Sequence, residues 1–199
     1  MGFDYNRVSS DWESVLFNLN YSEDHKIPDI NQSIHDLAAE IGMQLGQRQW
    51  LLVTAESCTG GWLGQAITTV AGSSQWYDRG FITYSNVAKQ EMLGVRQTVL
   101  EQYGAVSLQT AQDMALGALA RSPAHISVSI TGIAGPAGGT ATKPVGTVCF
   151  CWATRMERVQ QQTHLFSGDR DAIRHQAVLT ALLGIQQLLK ASPATATTE

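Results

Sequence analysis

The feature that most constrains the fold is an apolar segment, Trp50 to Ala55, that leads into a glycine-containing turn and then a helix. A short apolar run bounded by turn residues is typical of a buried strand. The helix predicted next, from about Gly60 to Val70, carries apolar residues at helical spacing. A strand joined to a helix by a tight turn is a building unit of α/β proteins, so we expect a sheet covered by helices.

The same alternation continues through most of the chain. Further strands are predicted at Gly80–Tyr84, His125–Ile130, Val145–Ala153 and Gln160–Phe166. Helices are predicted over Ile34–Leu45, over Val87–Leu93, over Thr98–Tyr103, after a capping Ser107, and from Asp169 to about Lys190. This alternation favours a three-layer α/β/α sandwich with a mostly parallel or mixed central sheet.

The chain of 199 residues is long enough for one well-packed domain. We divide it into an N-terminal extension over residues 1–30, one domain over residues 31–190, and a tail over residues 191–199. The tail is rich in Pro, Ala and Thr and is expected to be disordered. Apolar residues around Trp12 and Phe17 in the extension favour self-association, so we expect a homo-oligomer, with a dimer favoured.

Composition speaks against several classes of partner. A net charge of -4 and the lack of a basic run argue against nucleic-acid binding. No apolar stretch reaches the roughly 20 residues that span a bilayer, and no signal-peptide pattern is found, so we expect a cytoplasmic protein without membrane contact. The three cysteines have neither disulfide nor zinc-site spacing, so no metal is expected, and Cys149 and Cys151 are predicted to pack in the core.

Ser57 lies in the turn between the first strand and its helix. Unpaired backbone N–H groups at the start of a helix can stabilise an anion, so a nucleophile and an oxyanion or phosphate site can share this turn. We assign Thr59, Gly60 and Gly61 to that anion site. The alternative interpretation is a serine that only caps the helix.

Lys89 is the candidate base for this serine. A hydroxyl nucleophile needs a base within hydrogen-bond reach. Lys89 follows the end of a predicted strand, where α/β proteins build their sites. Burial lowers the pKa of a lysine and lets it act as a general base. Tyr84 is a candidate to relay a proton or to orient the pair; a surface lysine and a packed tyrosine remain the alternative.

A glycine-rich loop that begins at Thr131 is a candidate for binding an anion. Its glycines, Gly132 and Gly135 among them, let backbone N–H groups approach a phosphate or carboxylate closely. The loop lacks the ending of a Walker motif, and a flexible connector is the alternative. Arg170 opens the final helix, where a positive charge opposes the helix dipole, so we expect it to meet an anionic ligand or a carboxylate such as Asp171.

Taken together, these patches resemble the CinA C-terminal-domain family, whose active members are nicotinamide-nucleotide amidohydrolases. The resemblance covers roughly residues 32–190, and residues 1–30 have no counterpart in it. The segments that carry it, in order, are Thr54–Gly61, Gly80–Asn86 with Lys89, Gly104–Ser107, Ser129–Gly139, Lys143–Val148 and Phe166–Arg170.

The resemblance implies hydrolysis of nicotinamide mononucleotide to nicotinate mononucleotide and ammonia, a step in pyridine-nucleotide recycling. It assigns the nucleophile to Ser57 and the base to Lys89, with Tyr84 nearby, and the implied acyl-enzyme chemistry needs no cofactor. The 5′-phosphate of this small-molecule substrate needs backbone donors or an arginine, for which the glycine-rich loop and Arg170 are the candidates.

Two further hypotheses stay open from the sequence. The chain could be a catalytically silent nucleotide-binding module of the same family. Alternatively, Cys58 could be the nucleophile, because a thiolate is intrinsically stronger than a hydroxyl. The resemblance favours Ser57 over Cys58 as the nucleophile. The presence of Ser57 together with Tyr84 and Lys89 favours catalysis over a silent module.

Overall fold

The structure is a computed structural model that describes residues 30–156 and 158–191. The strands of this part are β1 (Leu52–Glu56), β2 (Tyr77–Ile82), β3 (Ile126–Gly132), β4 (Thr147–Thr154) and β5 (Val159–Leu165). The helices are α1 (Ile30–Arg48), α2 (Trp62–Thr68), α3 (Asn86–Leu93), α4 (Gln97–Tyr103), α5 (Leu108–Ala120) and α6 (Arg170–Ala191), with a 3-10 turn at Ser73–Gln75. The predicted extension up to residue 29 and the predicted tail from residue 192 lie outside the described residues.

The five strands form one mixed sheet in the order β2-β1-β3-β4-β5. Strand β1 pairs in parallel with β2 on one side and with β3 on the other. The β3–β4 and β4–β5 pairs are antiparallel. Because β1, β2 and β3 run in the same direction, their carboxyl ends meet at one edge of the sheet, with Glu56 opposite Ile82 and Ile130.

Helices cover both faces of the sheet, which confirms the three-layer α/β/α prediction. On one face, α1, α2 and α6 pack on apolar residues such as Val128, Phe150 and Trp152. On the other face, α5 packs on Val53 and Ala55 of β1 together with neighbouring residues of β4. Burial on both faces explains why β1 and β4 contain only buried residues instead of an alternating pattern.

Cys149 and Cys151 lie within the second of these cores, on β4. Both are buried and neither is in a disulfide. The prediction that these two cysteines pack in the core is confirmed.

Strand β2 begins three residues earlier than predicted and ends at Ile82 instead of Tyr84. Its side chains are half-buried or exposed, so this edge strand lacks the apolar run that marks a strand in sequence. It packs closely on β1 through a hydrogen bond of 2.8 Å between Tyr77 Oη and Thr54 Oγ1. A Cβ on Gly80 would lie 2.5 Å from that phenol oxygen, which explains a glycine within the strand.

Serine caps set the beginnings of two helices near the sheet edge. Ser107 Oγ accepts a hydrogen bond of 3.1 Å from Thr110 N–H at the start of α5, as predicted. Ser85 Oγ accepts one of 3.0 Å from Ala88 N–H at the start of α3. Within residues 30–156 and 158–191, no helix is both long and apolar enough to cross a membrane.

Candidate active site

A cavity of about 270 Å³ opens where the parallel strands end. Seven of the ten residues predicted for the site line it, and the three predicted at the start of α2 do not. The seven are Ser57, Tyr84, Lys89, Thr131, Gly132, Gly135 and Arg170. The fold therefore brings together four patches that lie up to 113 positions apart in the chain, from Ser57 to Arg170.

The central contact in this cavity joins Lys89 to Ser57. Lys89 Nζ donates a hydrogen bond of 2.9 Å to Ser57 Oγ and another of 2.9 Å to the carbonyl oxygen of Thr83. The lysine is 1% exposed and the serine 8% exposed. The predicted nucleophile and its predicted base are thus within hydrogen-bond reach of each other in a site that largely excludes water.

Burial lowers the pKa of Lys89 from its ordinary 10.5 to about 8. None of the three ion pairs found among the described residues involves this lysine, so no carboxylate offsets the loss of hydration. A substantial fraction of the amine is therefore neutral at mildly alkaline pH. A neutral amine has a lone pair that can accept the Ser57 proton.

Local geometry on α3 places Lys89 at Ser57. Ser85 caps the helix, and Lys89 lies four residues after the cap, so its side chain leaves the first full turn toward the sheet edge. The helix ends at Gly94, whose φ of 70° lies in the left-handed region that favours glycine. Asn86, three residues before Lys89 on the same helix, also lines the cavity and was missed by the sequence analysis.

The start of α2 is not an open anion site, which corrects the assignment of Thr59, Gly60 and Gly61. The carboxylate of Glu56, 1% exposed, already accepts hydrogen bonds from four donors at this helix start. Its donors are Thr59 Oγ1 at 2.7 Å, Gly61 N–H at 3.0 Å, Leu63 N–H at 3.1 Å and Gly64 N–H at 2.9 Å. The helix dipole stabilises an internal anion here, so these four donors are not available to a substrate anion.

Glu56 is a further residue that the sequence analysis missed. The signal was present: a lone acidic residue ends a mostly apolar strand and is followed by Thr59 and two glycines. Acidic residues are rarely buried without partners, so such a position predicts a carboxylate that binds the next helix.

The glycine-rich loop forms one wall of the cavity. Thr131 Oγ1 donates to Ala105 O at 2.7 Å, and Lys143 Nζ donates to Tyr103 O and Val106 O at 2.7 Å each, which ties the loop to the α4–α5 connection. Four residues of the loop that line the cavity have N–H groups without an acceptor among the described residues: Ala134, Gly135, Ala137 and Gly138. Such N–H groups suit an oxyanion or phosphate ligand.

Arg170 reaches this wall from the start of α6. Its Nη1 donates to Gly135 O at 2.7 Å and its Nη2 donates to Tyr84 Oη at 2.8 Å. Asp171, the carboxylate considered from sequence, instead pairs with Arg174 at 3.2 Å. Among the described residues Arg170 has no acidic partner, so its charge is available to an anion in the cavity.

Tyr84 lies with Arg170 at the cavity rather than with the Ser57–Lys89 pair. Its side chain is 62% exposed, and the hydroxyl partner found for it in the described part of the chain is Arg170. Across residues 30–156 and 158–191, a proton relay through Tyr84 therefore has no hydrogen-bonded path to Ser57 or Lys89. The geometry is instead suited to orienting the arginine.

Cys58 lines the cavity but is a poor nucleophile in this setting. The thiol is 6% exposed, and burial, with a smaller contribution from the charge of Glu56, raises its pKa to about 12. A thiol with that pKa stays protonated at neutral pH, and the protonated thiol is not the reactive form. The contact with Lys89 belongs to Ser57, one residue earlier.

The described residues contain no group of three or more His, Cys, Asp or Glu side chains arranged to hold a metal ion. The polar groups that face the cavity are instead hydroxyls, a thiol, a carboxamide, an amine, a guanidinium and backbone N–H groups. This donor set suits an anionic organic ligand.

A family model and individual relatives of the chain agree on one protein family. The family model for the CinA C-terminal domain matches residues 34–189. The chain is 54% identical over 149 residues to a protein of Enterobacter agglomerans named nicotinamide-nucleotide amidohydrolase PncC, covering 75% of this chain and 91% of that relative. It is 49% identical over 157 residues to the protein of the same name from Escherichia coli K12, covering 79% and 95%.

Solved structures agree with this match. The structure of competence/damage inducible protein CihA from Agrobacterium tumefaciens is 44% identical, with a TM-score of 0.77, covering 83% of this chain and 99% of that one. A CinA superfamily protein from Klebsiella pneumoniae 700603 is 38% identical, with a TM-score of 0.77, covering 80% and 99%. The chain therefore belongs to the CinA C-terminal domain family.

Proposed function

We propose that this protein is a nicotinamide-nucleotide amidohydrolase that converts nicotinamide mononucleotide to nicotinate mononucleotide and ammonia through a Ser–Lys mechanism. The observation that carries the proposal is the 2.9 Å contact between the buried Lys89 Nζ and Ser57 Oγ at the cavity. The names of relatives at 49–54% identity support the substrate class and a place in pyridine-nucleotide recycling.

In the first half-reaction, Lys89 in its neutral form takes the proton of Ser57 while the serine oxygen attacks the carboxamide carbon. A new C–O bond forms, and the negative charge develops on the carboxamide oxygen. Main-chain N–H groups of the cavity wall that do not bind the phosphate are the donors we assign to this oxygen, because those of the first turn of α2 already bind Glu56.

Collapse of the tetrahedral intermediate breaks the C–N bond. Lys89 returns its proton to the departing nitrogen, which leaves as ammonia, and the nicotinoyl group stays on Ser57 as an ester. In the second half-reaction, Lys89 takes a proton from water, and the resulting nucleophile cleaves the ester to the carboxylate product. Ser57 regains its proton, so the net consumption is one water per ammonia released.

The 5′-phosphate is assigned to Arg170 and the glycine-rich loop. Arg170 has no acidic partner among the described residues, and the loop offers N–H groups without an acceptor. A guanidinium and backbone N–H groups form short, charge-assisted hydrogen bonds with phosphate. Tyr84 holds the Arg170 guanidinium through its hydroxyl, which limits the directions the arginine can take.

Ammonia release from nicotinamide mononucleotide by the purified full chain tests the proposal. Wild-type protein is expected to release one ammonia per nicotinate mononucleotide formed. Lys89→Ala is expected to lower kcat by about 10²–10⁴-fold, as expected for loss of a general base. The matched control Lys190→Ala removes an exposed lysine in the last turn of α6 and is expected to keep wild-type activity. Nucleotide binding without turnover by the wild type would instead identify a silent binding module.

The identity of the nucleophile is tested by two single substitutions at adjacent positions. Ser57→Ala is expected to abolish turnover, whereas Cys58→Ala is expected to keep kcat within about threefold of wild type, since the thiol only packs. The reverse result would assign the reaction to Cys58. An acyl-enzyme trapped by rapid quench and located by mass spectrometry gives an independent answer.

A further inference from the structure

Glu56 is a buried carboxylate that makes no contact with the cavity yet has four hydrogen-bond donors. One of its oxygens, Oε2, accepts from Thr59 Oγ1, Gly61 N–H and Leu63 N–H, and the other accepts from Gly64 N–H. It is absent from the cavity lining. The carboxylate does not touch a ligand in the cavity, and the residues that it holds in place link it to the cavity.

The side chain of Glu56 ties the end of β1 to the first turn of α2, and Ser57 lies between the two. Ser57 N–H donates to Ile130 O at 2.9 Å, and Ser57 O accepts from Gly60 N–H at 3.1 Å. The main chain of the serine is thus held from β3 and from the turn whose other N–H groups bind Glu56. This arrangement restricts the position of the Ser57 hydroxyl.

The main chain of Glu56 contacts the lysine side of the pair. Glu56 O accepts the N–H of Thr83 at 2.8 Å, and the carbonyl oxygen of Thr83 accepts from Lys89 Nζ at 2.9 Å. Thr83 is fully buried. Glu56 is therefore hydrogen-bonded through its side chain to the turn that follows Ser57. Through its main chain it is hydrogen-bonded to Thr83, whose carbonyl oxygen binds the Lys89 amine.

We propose that Glu56 is a positioning residue whose carboxylate, by holding the first turn of α2, sets the distance between Ser57 Oγ and Lys89 Nζ. The inference rests on the proposed function, because that distance matters only if the two groups exchange a proton. Proton transfer and attack need reacting atoms within hydrogen-bond reach, so small displacements of either group reduce the rate strongly.

Glu56→Gln tests the carboxylate with little change in volume. In this variant an NH₂ group replaces one oxygen and faces an N–H donor such as that of Gly64, so at least one hydrogen bond is lost. The matched control is Asp113→Asn. Asp113 is also a carboxylate that binds the start of a helix, since it accepts from Arg96 N–H, Nε and Nη2 near α4, but it does not line the cavity.

The first measurement is steady-state ammonia release, with the melting temperature recorded for each variant. Glu56→Gln is expected to lower kcat by about tenfold or more while KM stays within about threefold, because the substrate contacts remain. Asp113→Asn is expected to keep the kcat of the wild type. If the role of Glu56 is purely structural, both variants will have a lower melting temperature and an unchanged kcat per folded molecule. That result would overturn the inference.

The second measurement does not depend on turnover. An aromatic sulfonyl fluoride labels an activated serine, and mass spectrometry with Ser57→Ala as blank gives the labelling rate at Ser57. Glu56→Gln is expected to slow labelling by about tenfold. If the wild type is labelled at Ser57 but releases no ammonia, the proposed function is refuted. The ratio of the labelling rates of the wild type and Glu56→Gln still decides the role of Glu56 in that case.

Thr59→Val provides the test if Glu56→Gln does not fold. It removes one donor to the carboxylate and keeps the size of the buried side chain. We expect labelling at Ser57 to slow by about threefold, since three of the four hydrogen bonds remain. Labelling at the wild-type rate in this variant would overturn the inference.

Discussion

Lys89 is the residue whose chemistry depends most on where the fold places it. In water its amine would be almost fully charged at neutral pH, but burial lowers its pKa to about 8. Lowering the pKa from 10.5 costs the folded state on the order of 3 kcal/mol below pH 8. The same lowered pKa leaves a fraction of the amine neutral near neutral pH, and the neutral form can accept a proton.

The pH dependence of the reaction follows from this pKa. Because the neutral amine is the active form, kcat/KM is expected to rise with pH and to reach half its maximum near pH 8. The measurement is ammonia release across pH 6 to about 9.5 in buffers of constant ionic strength. A profile that is flat through this range would contradict Lys89 as the base.

The free energy of unfolding is also expected to rise with pH. Between pH 8 and 10.5 the unfolded chain binds more protons at this lysine than the folded chain, so its contribution to the free energy of unfolding rises with pH. Across that window the free energy of unfolding of the wild type should therefore rise by up to about 3 kcal/mol relative to that of Lys89→Met, which has no amine at this position. Urea unfolding at several pH values measures it, with Lys190→Met as the control.

Arg170 permits a third prediction at the scale of single residues. Within the described part of the chain its guanidinium donates to a carbonyl and a phenol and pairs with no carboxylate, so its charge is available to the substrate phosphate. Arg170→Ala is expected to raise KM by about 10–100-fold, the cost of losing a charge-assisted contact of about 1.5–3 kcal/mol. Nicotinamide riboside, which lacks the phosphate, serves as the comparison substrate.

The control for Arg170 is Arg79→Ala, which removes an arginine of β2 that pairs with Asp78 and does not line the cavity. It should leave KM for the mononucleotide unchanged. If Arg170→Ala weakens the riboside as much as the mononucleotide, the arginine does not act on the phosphate.

At the scale of elements, the close approach of α5 to the end of α3 holds the helix that carries Lys89. A Cβ on Gly117 of α5 would lie 1.9 Å from Leu93 O, so any side chain there forces the two helices apart. Gly117→Ala is expected to lower the free energy of unfolding by about 2–3 kcal/mol, measured by denaturant unfolding.

A matched glycine gives the opposite sign. Gly46, in α1, has no atom within 4 Å of an added Cβ. Gly46→Ala is therefore expected to stabilise the protein by about 0.5–1 kcal/mol, the difference in helix propensity. Equal effects at the two glycines would show that α5 and α3 can separate without cost.

Individual elements also show where sequence reasoning was sufficient. Helices with an apolar face and a capping serine, such as α5 after Ser107, were predicted because the local signals and the packing agree. The bounds of β2 were wrong because its polar side chains lie at a sheet edge, where burial does not mark the pattern. Its first residue, Tyr77, is held by a tertiary contact with Thr54, which has no signal in the local sequence.

At the scale of the whole molecule, the predicted homo-oligomer remains a prediction. It rests on apolar residues around Trp12 and Phe17, which lie outside the described residues. Analytical ultracentrifugation of the full chain is expected to give about twice the mass of one chain, and Trp12→Ala with Phe17→Ala is expected to shift it toward the monomer. A wild type that sediments as a monomer at micromolar concentration would contradict the prediction.

The mixed sheet is what joins the patches into one cavity. The parallel strands β1, β2 and β3 carry the Ser57 turn, the segment before Lys89 and the glycine-rich loop to one edge. The antiparallel strands β4 and β5 then return the chain so that Arg170, at the start of α6, reaches the same edge. A sequence pattern can name these segments, but only the strand order sets their distances.

The sequence by itself determined the α/β class, the succession of strands and helices, and the residue types of the candidate site, because these depend on local spacing and turn chemistry. Only the tertiary structure decided how those residues are used. It lowered the pKa of Lys89 by burial, and it filled the start of α2 with the carboxylate of Glu56 instead of leaving it open to substrate. Both outcomes depend on which groups lose contact with water, and that is set by packing between segments distant in the chain.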